Sequence, residues 1–150
     1  MTIQERIQAD MKTALKAGEK DRLTVLRMLL ADLKNFREGG GFDSLDEEQE
    51  QTVLRKAQKM RLDAVEAANA AGRTEMSENE AREAAWIAEY LPQQMDEETT
   101  RSAVVALLAE LGIQDKRDIG RFMKEWMARH KATSDARLVQ RVLGEALSST

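Results

Sequence analysis

The sequence predicts an all-α protein in two units. An N-terminal helical hairpin unit covers residues 1–91, and a small C-terminal three-helix bundle covers residues 96–148. Three observations carry this. Apolar residues recur at three- and four-residue spacing along almost the whole chain, and no segment alternates with period two as a half-buried strand would. Ala, Leu, Glu, Arg and Met, all good helix formers, are abundant, while aromatics make up only 4% of the 150 residues. The one proline, Pro92, interrupts a helical pattern that resumes beyond it.

The first helix places Ile3, Ile7, Met11, Ala14 and Leu15 at helical spacing and should stop near Gly18. The second runs from about Lys20 to Arg37. Leu23, Leu26, Leu30 and Leu33 form its stripe, widened by Val25, Met28, Leu29 and Phe36, so most of it should be buried. Gly39-Gly40-Gly41 reads as a linker. A phosphate loop would need a Gly-Lys-Ser/Thr sequence after it and a strand before it, and neither is present. Ser44-Leu45-Asp46-Glu47 has the pattern of a capping box. It should open a long helix to about Ala71, with Val53, Leu54, Ala57, Met60, Ala64, Val65 and Ala68 on one side. Gly72 should end that helix. Ser77-Glu78-Asn79-Glu80 has the same box pattern and should open a shorter helix through Ala81, Ala84, Ala85, Ala88 and Leu91.

The connector YLPQQMDEET, Tyr90 to Thr99, reads as helix stop, short link and helix start. Pro92 lacks an amide hydrogen and disfavours helical geometry at Leu91. Asp96 is a suitable N-cap, and Glu97 and Glu98 then sit in a first turn where the helix dipole favours negative charge. Three short helices follow. The first carries Val104, Val105, Leu107, Leu108 and Leu111 and stops at Gly112. The second opens at Asp115 and carries Ile119, Phe122, Met123, Trp126 and Met127 as expected core. The third starts near Ser134 or Asp135 and carries Leu138, Val139, Val142, Leu143, Ala146 and Leu147.

Composition excludes several kinds of chemistry. With no cysteine there is no disulfide, thiolate nucleophile or cysteine-based zinc site. One histidine, His130, makes a transition-metal site unexpected, and its place near a helix end suits contact with exposed carbonyls better than catalysis. The acidic run DSLDEEQEQ lacks the glycine and the acid spacing of a calcium loop. No nucleophile elbow and no nucleotide loop are present, so no catalytic residues, cofactor or metal are expected. The N-terminal MTIQERIQADMKTALK has no apolar h-region, so no signal peptide is expected. No apolar run reaches the roughly 18 residues of a membrane span. A cytoplasmic protein is the expectation.

Charge is uneven. Residues 1–37 and 113–150 each carry +3, whereas residues 38–112 carry −10. Basic side chains crowd the last segment: Lys116, Arg117, Arg121 and Lys124 around one helix, Arg129 and Lys131 at the following loop, and Arg137 and Arg141 on the next helix. These eight are the candidate RNA-phosphate contacts, against the plainer reading of a solvated face. Trp86 and Tyr90 share a helix face and could stack on a base, although packing across the two units is the plainer expectation.

Three stretches resemble the YqeY-like family. DRLTVLRMLLADLKNFR is similar to its DRLxxLRMLxxxLKN segment, and EYLPQQMDEET to its EYLPxQLSEEE connector. LGIQDKRDIGRFMKEWM with DARLVQRVLGEAL resembles its C-terminal helical domain, shared with the tail of the GatB subunit of the tRNA-dependent amidotransferase. The resemblance implies a helical hairpin unit followed by a three-helix bundle. It also implies an association with tRNA through the tail and a kinship with carbon–nitrogen ligases that use glutamine as amide donor. The amidotransferase's catalytic cradle has no counterpart here, so a tRNA-associated accessory module is the expected function. A protein-interaction adapter with a protein partner and no RNA role is the alternative. The α-helical tail departs from the family at one turn. Where family members carry a glycine-rich basic sequence like PKVKGRADG, this chain has MARHKATSDAR, with no proline or glycine.

Overall fold

The computed structural model describes residues 1–148. Its helices are α1 (Ile3–Ala17), α2 (Lys20–Gly39), α3 (Glu47–Ala70), α4 (Thr74–Ala88), α5 (Glu97–Leu111), α6 (Ile119–His130) and α7 (Ala136–Ser148), with a 3-10 turn at Lys116–Asp118. No strand occurs among the described residues. The chain divides into two compact units, Met1–Leu91 and Pro92–Thr150.

In the first unit α1 packs on α2, α3 packs most extensively on α4, and α2 joins the two pairs. Ile3, Ile7, Leu26, Leu29, Leu33, Leu54, Ile87 and Tyr90 form its core. The helix ends are satisfied in distinct ways. The Thr2 hydroxyl accepts from the Glu5 amide at 3.1 Å. The next orphan donors, the Ile3 and Gln4 amides, bond to the Glu50 carboxylate at 3.4 and 2.8 Å. Glu50, on α3, is 3% exposed, so a buried charge is tolerated because it caps a helix start. At the far end of α1, Gly18 takes φ 71°, and the Gly18 and Glu19 amides bond to Leu15 O and Ala14 O.

Two helix starts in the first unit differ from expectation. The N-cap of α3 is Asp46, not Ser44: Asp46 accepts from the Gln49 amide, and the Gln49 side chain accepts from the Asp46 amide. α4 begins at Thr74, directly after the Gly72 turn, so Ser77 lies inside the helix and is buried. Its box pattern goes unused because the chain is already helical three residues earlier. Five large apolar side chains expected in stripes face solvent instead: Leu15, Phe36, Met60, Val105 and Met127 are exposed. Each stripe is narrower than its apolar composition.

In the second unit α5 packs mainly on α7 and also on α6. Its core holds Val104, Leu107, Phe122, Trp126, Val139, Val142 and Leu143. Asp96 caps α5 by accepting from the Thr99 amide at 2.8 Å, and that bond holds the Asp96 carboxyl below its ordinary range. α4 has already ended at Ala88, ahead of Pro92. Asp115 caps the 3-10 turn rather than α6 itself, accepting from the Arg117 amide at 2.9 Å. Asp135 accepts from the Arg137 and Leu138 amides at the start of α7.

Candidate nucleic-acid interface

The eight basic side chains differ in how they are held. Lys116, Arg117, Arg121 and Lys124 project from the 3-10 turn and the first turns of α6, and all four are exposed. The turn forms because Asp115 serves twice. Its carboxylate takes the Arg117 amide and also the guanidinium, at 3.2 Å from Nε and 3.0 Å from Nη2. These bonds, the side-chain contact foremost, hold Asp115 below the usual carboxylate range. Arg121 lies 4.0 Å from Asp118, at the edge of ion-pair range. Among the described residues, Lys116 and Lys124 have no acidic partner within ion-pair range.

Arg129 and Arg141 are committed elsewhere. Arg129 grips Glu110 on α5 with two bonds, 2.6 and 2.9 Å, and bonds to Glu125 one turn back at 3.0 Å. The Arg129 guanidinium in turn holds Glu110 below its ordinary range. Arg141 lies 3.2 Å from Glu97, which also pairs with Arg101, and Arg101 reaches Glu145 on α7 at 2.7 Å. These pairs tie α5 to α6 at one end and to α7 at the other. Lys131 and Arg137 are exposed at the α6–α7 turn.

That turn is fixed without glycine or proline. The Trp126 indole Nε1 donates to Ser134 Oγ at 2.9 Å, the Met95 amide to Thr133 O at 2.8 Å, and the Gln94 side chain to Ser134 O at 3.5 Å. His130 packs its ring 4.4 Å from that of Trp126 at the end of α6. The turn that differs from the resembled pattern is therefore a fastened one, and Gln94 is one of its fasteners.

The YqeY-like protein family model matches residues 4–147. This chain belongs to the YqeY-like family. No curated protein matches it.

The YqeY-like chain's second unit carries nine basic and nine acidic side chains over residues 92–150, so it is neutral overall. Local arrangement, not net charge, decides whether it can meet a polyanion. The two lysines without acidic partners and the loosely held Arg121 gather positive charge at the 3-10 turn and the first turns of α6. Within α6 the rings of Phe122 and Trp126 are fully buried, so neither is open to stacking on a base. Among the described residues no group of three or more His, Cys, Asp or Glu side chains is placed to hold a metal ion. Among them, too, no helix is long and apolar enough to cross a membrane.

The sequence named the cations but not the acids that bind them. Glu125–Arg129 and Glu97–Arg101 are readable as pairs four residues apart. Glu110 and Glu145 enter only once the helices are packed. Trp86 and Tyr90 also part company. Tyr90 is 3% exposed, past the end of α4, and its hydroxyl donates to Asp10. Burial, with the Asp10 carboxylate beside it, pushes the phenol well above its usual range. Trp86 instead remains half-buried in the wall of a cleft.

Proposed function

We propose that this YqeY-like protein is a tRNA-associated accessory module that contacts RNA phosphates with Lys116, Arg117, Arg121 and Lys124. The observation that carries the reading is the pair of exposed lysines without acidic partners, close in sequence to two exposed arginines across the 3-10 turn and the start of α6. Phosphate contacts need accessible cations; Lys116 and Lys124 are exposed without acidic partners, whereas Arg117 would have to share Asp115 and Arg121 lies at the edge of reach of Asp118. Lys131 and Arg137 extend the basic character to the α6–α7 turn. Arg129 and Arg141 would join only if RNA displaced Glu110 and Glu97. The resemblance of the tail to that of the amidotransferase's GatB subunit supports tRNA as the RNA. The ligase label belongs to that kinship, with amide transfer left to a partner that has the catalytic apparatus. The same reading takes residues 1–91 as a helical hairpin domain, 96–148 as a three-helix bundle domain, and the cytoplasm as the location.

A protein-interaction adapter is the second reading. It is favoured by the neutrality of the second unit and by the commitment of Arg129 and Arg141 to carboxylates. Titration of bulk tRNA across a salt series decides between them. Three to four phosphate contacts give a log–log slope of roughly −3 for double-helical RNA, shallower by about one unit for each cation removed. The Lys116, Arg117, Arg121 and Lys124 to Ala variant should bind weakly with a flattened slope. Absence of binding at low salt would remove the RNA reading and favour the adapter.

A further inference from the structure

We propose that a cleft in the first unit is a binding site for one ribonucleotide unit, a base with its ribose and a single phosphate. This stands apart from the tRNA contact, because every residue involved lies in residues 1–91. The cleft has a volume of about 530 Å³, within the range of small-molecule sites. The α1–α2 turn and the start of α2 form one wall, with Glu19, Lys20, Asp21 and Arg22, and Arg82 and Trp86 of α4 form the other.

Each part of a nucleotide finds a matching group. Trp86 packs one side against the core, yet stays partly exposed in the cleft. Arg82 lies over its ring, with the guanidinium carbon 5.8 Å from the ring centroid. A base can stack on the outer side of the Arg82 plane, or on the indole by taking the place of Arg82, an interaction every base supports. The phosphate meets two cations that have no acidic partner among the described residues. Lys20 has none within ion-pair range, and Arg82 bonds to the Asn79 side-chain oxygen, which is uncharged. Arg22 is already held by Glu89 at 2.8 Å. The carboxylates of Glu19 and Asp21 set the selectivity. They can accept from ribose hydroxyls or a base amino group, and they disfavour additional phosphates. The site should therefore prefer a monophosphate to a triphosphate and a ribose to a deoxyribose.

Adenosine 5′-monophosphate is the probe, and tryptophan emission is the readout. The chain has two tryptophans, and Trp126 is fully buried in the other unit. Saturable quenching with a Kd below about 1 mM is expected, absent in Trp86→Phe. Lys20→Ala and Arg82→Ala, both on exposed side chains, should each raise Kd by roughly tenfold. Inorganic phosphate alone should leave the emission unchanged. The Lys116, Arg117, Arg121 and Lys124 to Ala variant should bind the nucleotide normally, which separates this site from the tRNA contact. A single-stranded hexa-adenylate RNA binding more tightly than the mononucleotide would identify a strand end as the source, and weaker binding a free nucleotide. Quenching that fails to saturate, persists in Trp86→Phe, or is indifferent to both cation variants would overturn the proposal.

Discussion

Two buried polar side chains show opposite solutions to the same problem. Glu50 is buried and used: it accepts from the Ile3 and Gln4 amides and so completes the N-terminus of α1 from a different helix. Glu50→Ala would orphan both donors. The expected cost is about 2–3 kcal/mol, given what hydrogen bonds to a charged group contribute, read as a lower midpoint in urea. Glu50→Gln keeps one acceptor and should lose roughly half as much. An unchanged midpoint for Glu50→Ala would show that the α1 start does not depend on this contact. Thr100 is buried and unused: its side chain is fully enclosed and its hydroxyl has no hydrogen-bond partner. Valine has nearly the same shape and no polar atom. Thr100→Val should therefore stabilise the second unit by about 1 kcal/mol, with a higher melting temperature for the transition that Trp126 reports. A lower one would mean that the hydroxyl has a water partner.

At the scale of the helix, stops were easier to read than starts. Gly18 and Gly112 end α1 and α5 as their positions in the pattern require, with φ 71° and 65°. After Gly112 the Ile113 amide turns back to Leu108 O at 3.0 Å, and Ile113 is then buried. A β-carbon at Gly112 would meet nothing within 4 Å, so the penalty for Gly112→Ala is conformational alone, about 1 kcal/mol. Thermal melting of this variant against a Gly144→Ala control tests it, since Gly144 is inside α7 at negative φ and also has open space around it. The control should be neutral or stabilising. Starts are ambiguous because Ser-x-x-Glu is a short pattern that any serine in a glutamate-rich chain can complete by chance. Asp46 with Gln49 outcompetes Ser44, and Ser77 is overtaken by a helix nucleated earlier. What remained illegible was long-range. Glu110 and Arg129 are 19 residues apart, and Arg101 and Glu145 are 44 apart. Lys20 shares a cleft with Trp86, on a helix that nothing in the local pattern ties to it. No periodicity encodes such meetings, because they depend on how helices pack.

At the scale of the whole molecule, charge is used for internal attachment as much as for display. Asp96, Glu110, Asp115 and Glu145 are all held below their ordinary range, and all four lie in the second unit. The causes are local: the Thr99 amide, the Arg129 guanidinium, the Arg117 side chain and amide, and the Arg101 guanidinium, respectively. The folded-state values are lower than the unfolded ones, which lie near pH 4. The stabilisation is therefore complete above about pH 5 and is lost as pH falls through 4 toward the depressed folded values. These groups are exposed, so each contribution is modest and weakened by salt. Acting together at both ends of α5, they should still make the second unit acid-sensitive. In a Trp86→Phe chain the remaining tryptophan, Trp126, reports that unit alone. Its melting temperature should hold between about pH 7 and 5 and fall below about pH 4, less steeply in high salt. Glu110→Gln and Glu145→Gln should melt lower at neutral pH and show a shallower acid decline, because the group that titrates is gone. A melting temperature that is flat to about pH 3, or an acid decline unchanged in both variants, would mean that the helix packing holds α5 without its ion pairs.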